Sequence, residues 1–253
     1  MNKIISNLII VLICTTITSC APTYYYQLVN TKPVSNNLRK TEKAIVYEDN
    51  NCTISYNLWA KGGSTKIVFE NKTDEDIYLD LGATFFFMNN QAFDLYNGQN
   101  KNILKSNNQH QIITIPAKMY KIIGETDVFI FNDIFRDCNL FLKPTKKTIN
   151  SISFSKADTP YSFGLRIAYY VGNNKTPNMI RNEFFVDRIT NYPQQSFIEY
   201  YTDDKFCPDE KTKGIRKMKY KYKDVDAFYL EYNPTVIGKN PYGYQYYGYQ
   251  YNH

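Results

Sequence analysis

Thr84-Phe-Phe-Phe-Met-Asn-Asn-Gln-Ala-Phe-Asp-Leu-Tyr96 is the stretch that decides the fold. Two runs of strand-favouring residues, Thr84 to Met88 and Ala92 to Tyr96, flank Asn89-Asn90. Asparagine tolerates the positive φ that a two-residue hairpin turn demands, so the stretch predicts a tight β-hairpin.

The same grammar repeats on either side. Ala44 to Tyr47 and Cys52 to Ala60 are strand candidates around Asp49-Asn50-Asn51, and Lys61-Gly-Gly-Ser64 makes the next turn. Lys66 to Glu70 and Ile77 to Leu81 flank Asn71-Lys-Thr-Asp74 and place Ile67, Phe69, Ile77, Leu79 and Leu81 on inner faces. Ile112 to Ile115 and Met119 to Ile123 are two strands kinked at Pro116, as suits an edge. Val128 to Leu142 fits neither period. Later candidates are Ile149 to Phe154, Phe163 to Val171, Glu183 to Ile189, Ser196 to Tyr201, Met218 to Tyr222 and Phe228 to Tyr232. Aromatic residues make up 16% of the chain, with 24 Tyr and 16 Phe, and such side chains suit pleated, half-buried surfaces. Long helical-period runs of Ala, Leu and Glu are absent. The expected fold is all-β, an antiparallel sandwich of the Ig-like or a related kind, over residues 43–235.

The N-terminus carries a different message. Lys3 gives a positive start, Ile4 to Ile13 are mostly aliphatic, and Thr15 to Ser19 are small or polar before Cys20. The run is shorter than the roughly 20 residues that span a bilayer. Ile17-Thr-Ser-Cys20 resembles a bacterial lipobox, which implies removal of residues 1–19 and acylation, for example with palmitate, of Cys20. Two or three acyl chains hold a protein at a membrane almost permanently, whereas one holds it marginally. An ordinary secretory signal with Cys20 a plain thiol is the alternative. Residues 20–42 then read as lipidated cysteine and polar tether, with a mean reach of ~25 Å. The competing reading makes Tyr24 to Leu28 an early strand. No acid lies between Cys20 and Glu42. Some lipoproteins that resemble this one at the lipobox carry acids just after the cysteine as a surface-export signal, so the resemblance implies the periplasmic face of an outer membrane over the cell surface.

Processing lowers the net charge only from +6 to +5, because Lys3 is the one charged residue removed. That balance argues weakly for any polyanion, and the export signal disfavours nucleic acid. Cys14 leaves with the signal. Cys52 alternates with Ile54, Tyr56 and Leu58 and reads as a small buried hydrophobe. Cys138 and Cys207 sit among loop residues; an oxidising compartment permits a bridge between them, and three free thiols are the alternative. The two histidines, His110 and His253, lie in a polar loop and at the last residue, which leaves no partner for a catalytic cysteine.

The phrases Ile45-Val-Tyr-Glu-Asp-Asn-Asn-Cys52, Phe69-Glu-Asn-Lys-Thr73, Phe85-Phe-Phe-Met88, Phe135-Arg-Asp-Cys138 and Ile189-Thr-Asn-Tyr-Pro193 resemble a group of uncharacterised Bacteroidota-type lipoproteins. The resemblance runs from Cys20 to about Tyr232. It implies a β-rich fold and an envelope location, and it carries over no catalytic residue.

Two features stand apart from the strand pattern. From Lys217 onward, Lys217, Lys219, Lys221 and Lys223 alternate with Met218, Tyr220 and Tyr222, which in a strand makes a cationic row opposite an apolar one. Such a row suits anionic headgroups or polysaccharide; equally, it is a solvated face that keeps an edge from pairing. Tyr242-Gly-Tyr-Gln-Tyr246 repeats as Tyr247-Gly-Tyr-Gln-Tyr251, in a tail over 236–253 that has too few aliphatic residues to build a core. The chain shows no metal pattern, no nucleophile elbow and no phosphate loop, so no cofactor or metal is implied. Asp74, Glu75 and Asp76 cluster in a turn, where acids are ordinary, and Asn71-Lys-Thr73 matches a glycosylation sequon without weight in a bacterial lipoprotein.

The expected role is a lipid-anchored binding or structural module with a glycan or envelope-protein partner. The alternatives are a glycan-directed hydrolase using paired carboxylates and an accessory subunit of an envelope complex.

Overall fold

The computed structural model describes residues 24–94, 112–124, 140, 144, 149–202 and 216–232. These form an all-β, antiparallel, sandwich-like structure. Cys20, Cys138, Cys207, His110, His253 and the Tyr-rich tail lie outside the described residues.

The larger sheet holds nine strands. Its path is β16 (Ala227–Tyr232), β1 (Tyr25–Pro33), β13 (Asn178–Pro193), β12 (Ser162–Val171), β6 (Ile77–Asp80) and β9 (Ile112–Ile115). β11 (Asn150–Ser153) pairs with the end of β13, β7 (Phe85–Met88) with β12, and β8 (Gln91–Asp94) with β7. The second sheet runs β10 (Tyr120–Ile123), β5 (Ile67–Asn71), β4 (Cys52–Tyr56), β3 (Ile45–Glu48), β2 (Leu38–Lys40). A one-turn helix, α1 (Gln194–Phe197), leads into a separate hairpin of β14 (Ile198–Thr202) and β15 (Arg216–Tyr220).

Alternation fills the space between the sheets. Cys52, Ile54, Tyr56, Ile67 and Phe69 face Val29, Ile77, Leu79, Leu165, Ile167, Phe184 and Phe228 in one buried cluster. Cys52 is a fully buried free thiol, as its place in the alternation required. Polar stitches join the layers: Asn182 Nδ2 donates to Tyr56 Oη at 2.7 Å, and Asn71 Nδ2 to the Glu75 and Ile115 carbonyls at 2.8 and 3.0 Å. The sequon asparagine is therefore buried and fully engaged.

The hairpin is as expected, with Met88 opposite Gln91 and φ of 47° and 68° at Asn89 and Asn90. Pro116 does more than kink a strand: β9 pairs with β6 and β10 with β5, so the chain changes sheets there. β4 stops at Tyr56, short of Ala60. Residues 58–62 instead cover the outer edge strand, with Gly62 N donating to Tyr229 O and Tyr229 N to Ala60 O. At Tyr229 the edge is thereby closed to a foreign strand.

The domain boundary is the main correction. Tyr25–Pro33 is not a tether but a long inner strand, paired with β13 on one side and β16 on the other. Polar residues hide it in the sequence. Gln27 is fully buried, donating to Asn191 Oδ1 at 3.0 Å and to the Leu140 carbonyl at 3.1 Å, and Thr31 Oγ1 donates to Asp226 O at 2.8 Å.

Candidate functional site

β13 carries the site because it changes parity along its length. Up to Val186 its even-numbered residues point into the core; then the register against β1 slips, Asn30 facing Arg188 and Thr31 facing Val186. Asp187 is the extra residue of this β-bulge, and its carboxylate meets Lys32 Nζ at 3.1 Å. A bulge re-aims every side chain beyond it. Ile189 and Asn191 now face inward, and Arg188, Thr190 and Tyr192 emerge on the outer face beside Leu28 and Asn30 of β1.

The chain returning from β15 crosses this outer face. Lys221 N donates to Phe197 O at 3.0 Å, and Leu58 N to Val225 O at 2.9 Å, which pins the crossing at both ends. Between the crossing and the sheet lies an open groove of about 550 Å³. Its floor is Leu28 and Thr190, with Ser151 Oγ 2.9 Å from Thr190 Oγ1. One wall is the stacked pair Tyr192 and Tyr222, ring centres 4.6 Å apart. The rim carries Arg188, Lys221 and Lys223 against one acid, Asp224.

That acid is engaged elsewhere. Lys40 Nζ sits 2.7 Å from both Asp224 and Asp226. Burial works against the ammonium, yet the two carboxylates outweigh it and raise its pKa. Burial also raises the Asp226 pKa, with Lys40 opposing. Lys221 Nζ donates to the Gln195 carbonyl at 3.2 Å. Among the described residues neither Arg188 nor Lys223 meets a carboxylate at ion-pair distance. Among the described residues the groove thus offers two cations with no carboxylate partner, hydroxyls and a tyrosine edge, a set suited to holding an anionic group.

Next to the groove the outer face is aromatic. Phe197 is fully buried and central, stacked 4.8 Å from Tyr26 and 5.6 to 6.5 Å from Tyr192, Tyr220, Tyr229 and Trp59. The polar tips are satisfied: the Tyr220 and Tyr229 hydroxyls lie 2.8 Å apart, and Tyr26 Oη donates to Glu231, which pairs with Lys61 at 2.7 Å. This cluster roots α1 and the β14–β15 hairpin on the sheet.

The expected row of four lysines divides in two. Lys217 and Lys219 share one face of β15, opposite Tyr201 and Glu199, and Lys219 pairs with Glu199 at 3.2 Å. β15 ends at Tyr220, so the alternation stops there and Lys221 and Lys223 line the groove instead. Asp74, Glu75 and Asp76 form a turn. Asp74 pairs with Lys118 at 3.0 Å, Asp76 accepts from Ala117 N at 3.1 Å, and the Glu75 carbonyl accepts from Asn71 and Thr73. Among the described residues no three His, Cys, Asp or Glu come together as a metal site.

Arg188, Thr190 and Tyr192 were not legible as site residues. The available signal was the spacing of Phe184, Val186 and Ile189, which breaks strict alternation by one residue and so marks the bulge. Comparison with family models, with curated proteins and with solved structures gives no match in any of the three.

Proposed function

We propose that this chain is a lipid-anchored binding module of a bacterial envelope, held through Cys20 and taking an anionic glycan in the outer-face groove. The observation that carries the reading is the placing of Arg188 and Lys223, which meet no carboxylate among the described residues, beside the Tyr192–Tyr222 wall of the sheet. Binding sites gather a few directed polar groups around an apolar surface, and tyrosine supplies a stiff face with a polar tip. The lipobox-like Ile17-Thr-Ser-Cys20 supports the anchor, and mass spectrometry of the natural product is its check.

The binding test is calorimetric titration with an oligogalacturonate, a neutral malto-oligosaccharide serving as control. Wild-type protein should bind the charged sugar alone, with affinity falling as salt rises. The double substitution Arg188→Gln, Lys223→Gln should weaken binding roughly ten-fold, the scale of two exposed charge contacts. Equal binding of both sugars, or no effect of the double substitution, would overturn the glycan reading.

A further inference from the structure

We propose that the β14–β15 hairpin seats the domain on anionic lipid headgroups, so that the protein is oriented on its membrane as well as tied to it. This rests on the lipid anchor at Cys20 proposed above. Five residue steps separate Cys20 from Tyr25, the first residue of β1. At ~3.5 Å per step the link reaches about 17 Å at full extension. An anchored domain therefore keeps the Tyr25 end of β1 close to the headgroups.

The hairpin is rooted at that same end. Tyr25 lies opposite Pro193, the last residue of β13, and Gln194 N donates to Tyr24 O at 3.2 Å. Gln194 Nε2 reaches Tyr200 Oη at 3.5 Å. Beyond its root the hairpin shows water both apolar and cationic side chains. Tyr200 and Met218 face each other across the strands and are 45% and 48% exposed, and Tyr201, on the other face with Lys217 and Lys219, is 40% exposed. Met218 and Tyr201 thus leave large apolar surface in water on a two-stranded element, the kind that gains from a surface to pack on. Tyrosine with lysine is the combination that settles at a bilayer interface, the ring among headgroups and the ammonium on phosphate. The opposite end of the molecule points away: β13 runs 16 residues, about 50 Å, back to Asn178 and the exposed turn that holds Lys175.

The test uses the processed, lipidated protein in vesicles of phosphatidylethanolamine and phosphatidylglycerol doped with lipids brominated near the headgroup. Trp59 is the sole tryptophan, so Trp59→Phe gives a silent background for Met218→Trp or Lys175→Trp. The indole at position 218 should be quenched and blue-shifted, and that at position 175 should be neither. Adding Lys217→Gln and Lys219→Gln should weaken quenching at 218, by up to roughly five-fold in association for a lysine near an anionic surface and by less for Lys219, which shares its charge with Glu199. Lys217→Arg with Lys219→Arg should restore it. If the protein floats with the vesicles while the two indoles are equally unquenched, the seat is wrong and the anchor stands. If the protein does not float with the vesicles, the anchor fails and the seat with it.

Discussion

Strand β1 separates two apolar clusters that differ in kind. Toward the sandwich interior, Val29 joins a cluster that is mostly aliphatic and phenyl, with Tyr56 and Tyr169 as its buried phenols. Toward the outside, Tyr26 and Leu28 join one built around Phe197 and a ring of tyrosines, in which the Tyr26, Tyr220 and Tyr229 hydroxyls are hydrogen-bonded. The inner cluster joins two sheets, so the fold depends on it. The outer one fastens a helical turn, a hairpin and a crossing segment onto a sheet that is already complete. Changes inside should act on the whole molecule, whereas changes outside should act on the groove and the hairpin.

The largest effect should come from Phe228→Ala, which empties a fully buried position in the inner cluster. We expect a loss of about 3–5 kcal/mol and one cooperative transition at a melting temperature lower by roughly 10 °C in calorimetry. Phe197→Ala removes an equally buried ring from the outer cluster. Its cost should be about 2–3 kcal/mol and local: hydrogen exchange should accelerate over 194–202 and 216–224 while β4, β5 and β12 keep their protection. Equal acceleration in both clusters would erase the distinction.

Alkaline pH has a third, smaller effect, which the two clusters share. Burial, ahead of any neighbouring charge, raises the pKa of Tyr26, Tyr192 and Tyr229 in the outer cluster and of Tyr56 and Tyr169 in the inner one, and pushes the Tyr47 phenol at the core margin up to about 12. An unfolded phenol ionises near pH 10, so above that pH the folded state retains more protons than the unfolded one. The tyrosine contribution to stability should be fully present below pH 10 and decline as pH rises beyond it, as read from urea midpoints. Tyr26→Phe with Tyr229→Phe should flatten that decline, because two of the shifted groups are then gone. The smallest effect is Lys40→Gln, expected to cost about 1 kcal/mol, since Lys40 and Asp224 are half exposed and only Asp226 is mostly buried.

Strand identity was legible wherever one face is buried and the other wet, as in Cys52–Tyr56 and Ile67–Asn71, and so was the Asn89-Asn90 turn. The start of the domain was not, because β1 buries Gln27 and Thr31, whose partners at 140, 191 and 226 are distant in sequence. The groove failed to show for two related reasons. The bulge at Asp187 turns Arg188, Thr190 and Tyr192 outward without any change in composition. The lysine alternation runs on through 223 in the sequence, although the strand that gives it meaning ends at Tyr220.

Hydrogen-exchange mass spectrometry of the protein with and without the oligogalacturonate tests the outer-face groove most directly. Added protection confined to 188–192 and 221–224 is the predicted result. Protection that falls elsewhere on the sandwich, or none at saturating sugar, would contradict it.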